Sequence, residues 1–210
     1  SPWVPLPQGE LLVELNYTST QGPRSVRGAT AFPVVRTPAP VSVRLLCATW
    51  NVGNAVPPDA AALRQLWLDA RDADLVAIGT QECSYKPLPP GLSSSASAWT
   101  ALAHEAVGLD AFERVALCSL GQMTLLLLCR HALVPHLAKV RTQGEATGIA
   151  HVVGNKGGLG ISFSLGGLPV CVVSSHLAAH DDRLERRAAD FVEIQQGIYL
   201  CKDERPVDLS

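Results

Sequence analysis

From Val41 onward the chain alternates dense apolar runs with amphipathic ones. The runs Arg44–Trp50, Leu75–Gly79, Ala111–Cys118, Met123–Arg130, Ala138–Gln143, Gly158–Leu165 and Leu168–Ser175 predict strands. Most are apolar throughout rather than at every second position, the pattern of strands covered on both faces. Pro58–Arg71 predicts a helix, with proline near its start and Leu63, Leu66, Trp67 and Ala70 spaced for one face. Ser97–Val107 predicts a second helix. Leu184–Ile198 predicts a third, with Leu184, Ala188, Phe191 and Ile198 as its apolar stripe. Gly166-Gly167 between two strands signals a tight hairpin. Strands alternating with helices in this way define an α/β chain, with β-layers flanked by helices.

The first forty residues follow another rhythm. Gly9–Tyr17 reads as one strand, and the stretch from Gly22 to Pro40 is broken repeatedly by Pro, Gly and Thr. A single strand cannot bury its own face, so residues 1–40 do not make a domain. The run Trp3-Val4-Pro5-Leu6 with the strand after it resembles the closing strand of a C2-type sandwich, followed by a linker; a plain N-terminal extension reads equally well.

Composition narrows the class. Of 210 residues 47% are apolar and 17% charged, enough apolar side chains to exclude a disordered chain. No apolar run approaches the roughly 18–20 residues of a membrane helix; the densest, Met123–Cys129, already contains a threonine. A formal charge of −2 argues against a nucleic-acid coat or a polybasic membrane binder, so no nucleic acid is expected as partner. The 6 cysteines lack any C-x-x-C pair and sit mostly in apolar runs, as expected of buried free thiols in a reducing, cytoplasmic setting.

Four polar clusters interrupt the apolar pattern, each at a strand end or in the loop beside one. Thr49-Trp50-Asn51-Val52-Gly53-Asn54 taken alone is a strand entering an Asn-Gly turn. Gly79-Thr80-Gln81-Glu82 ends a buried strand in a carboxylate, either solvated or bound to a cation. Val153-Gly154-Asn155-Lys156-Gly157-Gly158 surrounds one of only four lysines with glycines, either a plain turn or a loop that lets backbone and ammonium approach an anion. Ser174-Ser175-His176 closes a strand whose side chains should be buried, and His180, Arg183, Arg186 and Arg187 follow, offset by Asp181, Asp182, Glu185 and Asp190. Strand ends of a layered sheet converge on one edge, so these groups can share one site. Hard oxygen donors, Asn51 and Glu82, suit Mg²⁺, and Lys156 with His176 would neutralise phosphate charge, together describing metal-assisted phosphate hydrolysis.

At this point the chain resembles the inositol polyphosphate 5-phosphatases, of the endonuclease/exonuclease/phosphatase superfamily. The resemblance rests on T-W-N-V-G-N (49–54), I-G-T-Q-E (78–82), T-G-I-A-H-V-V-G-N-K-G-G (147–158) and S-H-L-A-A-H (175–180), extended by Arg187 and Asp190-Phe191. It spans roughly residues 44–200, and the blocks around Lys156 and His176 are its most specific part. The resemblance implies that Glu82 binds Mg²⁺ and that Asn51 supports both metal and attacking water. It implies that His176 hydrogen-bonds the scissile phosphate, and that Asn155, Lys156, His180 and Arg187 contact the substrate. The implied reaction is in-line attack by water on the 5-phosphate of a phosphoinositide lipid or a soluble inositol phosphate, with peripheral membrane contact where the substrate is a lipid.

Two departures qualify what is implied. The family usually carries Arg-Asn where this chain has Arg187-Ala188. Its later blocks, G-D-L-N-Y-R, P-x-W-C-D-R and S-D-H, which hold further catalytic residues, occur nowhere in the 210 residues. The expectation is therefore an endonuclease/exonuclease/phosphatase-like fold incomplete at its C-terminus, with 41–210 the N-terminal part of a catalytic domain that is inactive alone. A non-catalytic inositol-phosphate or lipid-binding fragment and a nuclease of the same superfamily are the alternatives.

Overall fold

A computed structural model describes residues 10–17, 41–66, 68–84, 92, 94–147 and 156–199. In chain order the strands are β1 (Glu10–Tyr17), β2 (Val41–Asn51), β3 (Leu75–Gln81), β4 (Phe112–Leu120), β5 (Met123–Arg130), β6 (Leu137–Ala146), β7 (Gly157–Leu165) and β8 (Leu168–His176). The helices are α1 (Ala60–Leu66), α2 (Ser95–Val107) and α3 (Leu184–Gly197). Among the described residues they build a five-stranded sheet of order β1-β2-β3-β5-β4 and a three-stranded sheet of order β6-β7-β8. The strand read at 10–17 pairs antiparallel with β2 along its whole length, at the edge of the larger sheet.

β3 is buried at every position, and so is β5 up to Arg130. Their alternate residues serve two cores. Leu46, Val76, Ile78, Leu126 and Leu128 face Leu63 of α1 and Ala98, Trp99, Ala103 and Ala106 of α2. Leu45, Leu75, Ala77, Leu125, Leu127 and Cys129 face the smaller sheet through Leu159, Ile161, Phe163 and Leu165 of β7. The layers are thus helix, sheet, sheet and helix α3, which explains why the central strands read as unbroken apolar runs.

The smaller sheet departs from that expectation. β8 has an open face, with Cys171 and Val173 exposed, so the strand leading to His176 is not buried as its apolar sequence suggests. It is an edge strand, and so is the mostly exposed β6. The described cysteines are free thiols, three of them buried; Cys201 lies outside the described residues.

Two helices also differ from their periodicity. The run read as Pro58–Arg71 is α1 followed by a 3₁₀ turn at Leu68–Asp72. Asp59 Oδ1 accepts the Ala62 N–H at 2.8 Å, so the helix starts after the prolines, and the tighter final turn leads the chain into β3. The stripe expected on α3 points outward: Leu184 is 70% and Phe191 59% exposed, whereas Asp190 and Ile194 are buried. A carboxylate on the inward face hides that face from any apolar count. Gly158 admits the helix there, since a Cβ at this position would lie 2.5 Å from Ile194 Cγ2.

Candidate active site at the meeting edge of the two sheets

β2 and β3 are parallel, with Asn51 opposite Gln81, so both strands deliver their last residues to one edge. The smaller sheet supplies the facing groups by register. Gly166 and Gly167 both have positive φ, the hairpin geometry that two glycines permit, and the antiparallel pairing counted back from that turn puts Gly157 opposite His176. Lys156, one residue ahead of β7, therefore stands beside the end of β8.

Four side chains form a continuous contact line across this edge. Asn51 Nδ2 donates to Glu82 Oε1 at 2.9 Å, while Asn51 Oδ1 accepts the Gly53 N–H at 3.0 Å. Glu82 Oε1 lies 3.6 Å from His176 Nε2, and Lys156 Nζ lies 2.6 Å from the same nitrogen. In a contact this close one of the two nitrogens supplies the proton, and the tautomer of the imidazole decides which. Burial pushes the Lys156 ammonium below its ordinary value, against the opposing pull of Glu82 and Asp190. Glu82 itself has φ +59°, a left-handed backbone that a non-glycine residue adopts at a cost of about 1–3 kcal/mol. The neighbouring turn holds it there, with Asn54 N–H donating to the Glu82 carbonyl at 2.7 Å.

The donor set fits a hard divalent cation of the magnesium kind. Asn51 spends its amide on orienting Glu82, leaving one partly exposed strand-end carboxylate beside Lys156 and His176. Among the described residues no three His, Cys, Asp or Glu side chains gather as a cation cage. One carboxylate, with phosphate oxygens and water completing the shell, is how Mg²⁺ is usually held at phosphoryl sites.

The remaining expected residues divide. His180 is exposed at φ +75° on the loop after β8. Arg187 points its guanidinium at the carbonyls of Ala178, His180 and Asp181, so it shapes that loop. Asn155 lies outside the described residues. Sequence reasoning missed the anchor beneath the loop. Asp190, 1% exposed, accepts the Ala178 N–H at 2.8 Å and is held by Arg186 at 2.6 and 2.9 Å, with Glu193 bracing Arg186 at 3.0 Å. The (i, i+4) spacing of Arg186 and Asp190 is the signal that the sequence offers for it.

The chain is similar to known proteins over most of its length. The family described as Endonuclease/Exonuclease/phosphatase family 2 matches residues 48–208. Phosphatidylinositol 4,5-bisphosphate 5-phosphatase A of Rattus norvegicus is 34% identical over 157 residues, 72% of this chain and 16% of that protein. Type II inositol polyphosphate 5-phosphatase 14 of Arabidopsis thaliana is 30% identical over 178 residues, 78% of this chain and 15% of that protein. The chain thus spans about one-sixth of the length of these relatives. The 5-phosphatase domain of SPsynaptojanin, crystallised with inositol (1,4)-bisphosphate and calcium ion, superposes with TM-score 0.58 at 23% identity, covering 74% of this chain and 46% of that one. A Cimex nitrophorin, solved as a ferrous NO complex, shares the fold at TM-score 0.52 and 15% identity over 68% of this chain and 49% of its own, so the fold alone does not specify chemistry. With that family's model matching residues 48–208, most of the chain, the chain belongs to Endonuclease/Exonuclease/phosphatase family 2, and the relatives it resembles there are inositol polyphosphate 5-phosphatases.

Proposed function

We propose that the protein carrying this chain hydrolyses the 5-phosphate of phosphoinositides or soluble inositol polyphosphates with Mg²⁺. The observation that supports this reading most is the contact line Asn51–Glu82–His176–Lys156, in which one oriented carboxylate faces a histidine and a lysine across the two sheets. Glu82 would hold the cation and Asn51 fixes the rotamer of that carboxylate. When bound, the cation supplies Lewis-acid charge neutralisation at the phosphate. His176 and Lys156 present their nitrogens to the phosphate oxygens, and Asn155 lies one residue from that lysine in the same glycine-rich loop. Water attacks phosphorus in line with the P–O bond to the inositol ring; that bond breaks, the ring oxygen leaves with a proton, and orthophosphate departs.

The 210 residues lack the family's later blocks, and we propose that hydrolysis needs those residues in addition to these. General acid–base groups are each worth about 10²–10⁴ in rate, so this chain alone would bind far better than it turns over. Residues 41–210 are read as the N-terminal part of the catalytic domain and 1–40 as an extension whose strand β1 pairs onto the edge of its larger sheet. A cytoplasmic protein with peripheral membrane contact fits a lipid substrate.

Orthophosphate release from a soluble inositol polyphosphate bearing a 5-phosphate tests the reading, with Mg²⁺ and with chelator, on the chain and on the protein extended through those blocks. Mg²⁺-dependent release by the extended protein is expected. Release from an analogue lacking the 5-phosphate, or cleavage of abasic or single-stranded DNA in its place, refutes the assignment. Vigorous turnover by the 210 residues alone refutes the dependence on later blocks.

A further inference from the structure

We propose that Gln81 is a positioning residue that sets the gap between the two sheets at the site, so that Glu82 from one and His176 from the other act on the same phosphate group. The inference rests on the functional reading above and concerns a side chain outside the contact line. Gln81 is the last residue of β3 and only 5% exposed. Its amide Nε2 donates to Thr49 Oγ1 on β2 at 3.1 Å and to Ser174 Oγ on β8 at 3.3 Å. Its backbone carbonyl accepts the Val52 N–H at 2.9 Å.

Each of these partners sits next to a site residue. Thr49 and Val52 flank Asn51, Gln81 precedes Glu82, and Ser174 lies two residues before His176, on the same face of β8. One buried amide on β3 therefore reaches both β2 and β8, the strands that end in Asn51 and His176. Gly79 makes the approach possible, because a Cβ there would overlap the Ser174 hydroxyl. Without a side chain at 79, β8 comes close enough for Ser174 to reach Gln81.

The consequence is a division of labour. Asn51 and Glu82 both belong to the larger sheet, so cation binding needs only that sheet. His176 and Lys156 belong to the smaller sheet, and their distance from the cation depends on how the sheets are docked. Losing the Gln81 link should leave Mg²⁺ affinity in place and lower turnover.

The variants are Gln81→Leu, which keeps the buried volume, and Ser174→Ala, which cuts only the leg to β8. In the extended protein kcat is expected to fall about tenfold to a hundredfold, as for small misplacements of reacting groups. KM for the soluble substrate and the Mg²⁺ concentration for half activation should stay within about twofold. The double variant should turn over no more slowly than Gln81→Leu, since both remove one link. In the metal-free protein the imidazole NMR signals of His176 should move in both variants, while those of exposed His180 stay. Unchanged kcat with unmoved His176 signals would overturn the proposal. So would a loss of activity that merely follows a loss of folded protein in thermal melts. If the wild type releases no phosphate while His176 still moves in the variants, the positioning role stands and the functional reading fails.

Discussion

Glu82 combines two features that rarely coincide in one residue, a left-handed backbone and a side chain beside the Lys156–His176 pair. Strain of that kind persists where surrounding contacts hold it, here the Asn51 amide and the Asn54 N–H. Glu82→Gln should cut Mg²⁺-dependent phosphate release by about 10²-fold or more, since it removes the carboxylate expected to hold the cation. Glu82→Gly should abolish it too, yet hold or raise the thermal midpoint, because glycine takes φ +59° without a steric cost. Melts of the two variants by circular dichroism check this; a large drop for the glycine variant would mean that the residue is not strained. At this scale the sequence was informative through motif order. Asn51 and Glu82 are 31 residues apart, and only their shared position at strand ends suggests that they meet. The role of Gln81 was not legible, because its second partner lies 93 positions away on another sheet. Arg187, expected to read substrate, directs its donors to loop carbonyls here, a contact that no spacing rule foretells.

Among the elements, those best read in advance were the strands buried on both faces. β3, β5 and β7 are apolar because each serves a layer on either side, and apolar density alone reveals that. The hairpin at Gly166-Gly167 was equally legible, since few residues accept positive φ twice in succession. α3 was misread for a physical reason: its buried face carries Asp190, which serves the loop, and its apolar side chains Leu184 and Phe191 point away from the core. What seats the helix is a glycine in the sheet beneath it. Gly158→Ala would force a methyl to within 2.5 Å of Ile194 Cγ2, an overpacking typically worth about 1–3 kcal/mol. For a chain of this size that corresponds to a midpoint lower by about 2–12 °C. In an Ile194→Ala background the penalty of Gly158→Ala should shrink, because both γ-carbons that the new methyl would meet are gone. An undiminished penalty would place the docking of α3 elsewhere.

Across the whole molecule, stability and chemistry are separated in space. The two apolar clusters lie between the larger sheet and α1–α2, and between the two sheets; none of their members is a group expected to bind the cation. The site sits where strands from both sheets end, on a carboxylate that is 34% exposed. Removing the cation should therefore stop turnover without unfolding the protein. Mg²⁺ at about 100 times its dissociation constant should add about 2.7 kcal/mol to stability by mass action. For a domain of this length that raises the midpoint by about 5–11 °C. Thermal melts with chelator and across a Mg²⁺ series measure both effects without relying on activity. The rise should disappear in Glu82→Gln and survive in Ser174→Ala, because the first loses the carboxylate of the larger sheet and the second only the link between sheets. Unfolding on chelation would show the cation to be part of the architecture, and an equal rise in Glu82→Gln would place it at another carboxylate.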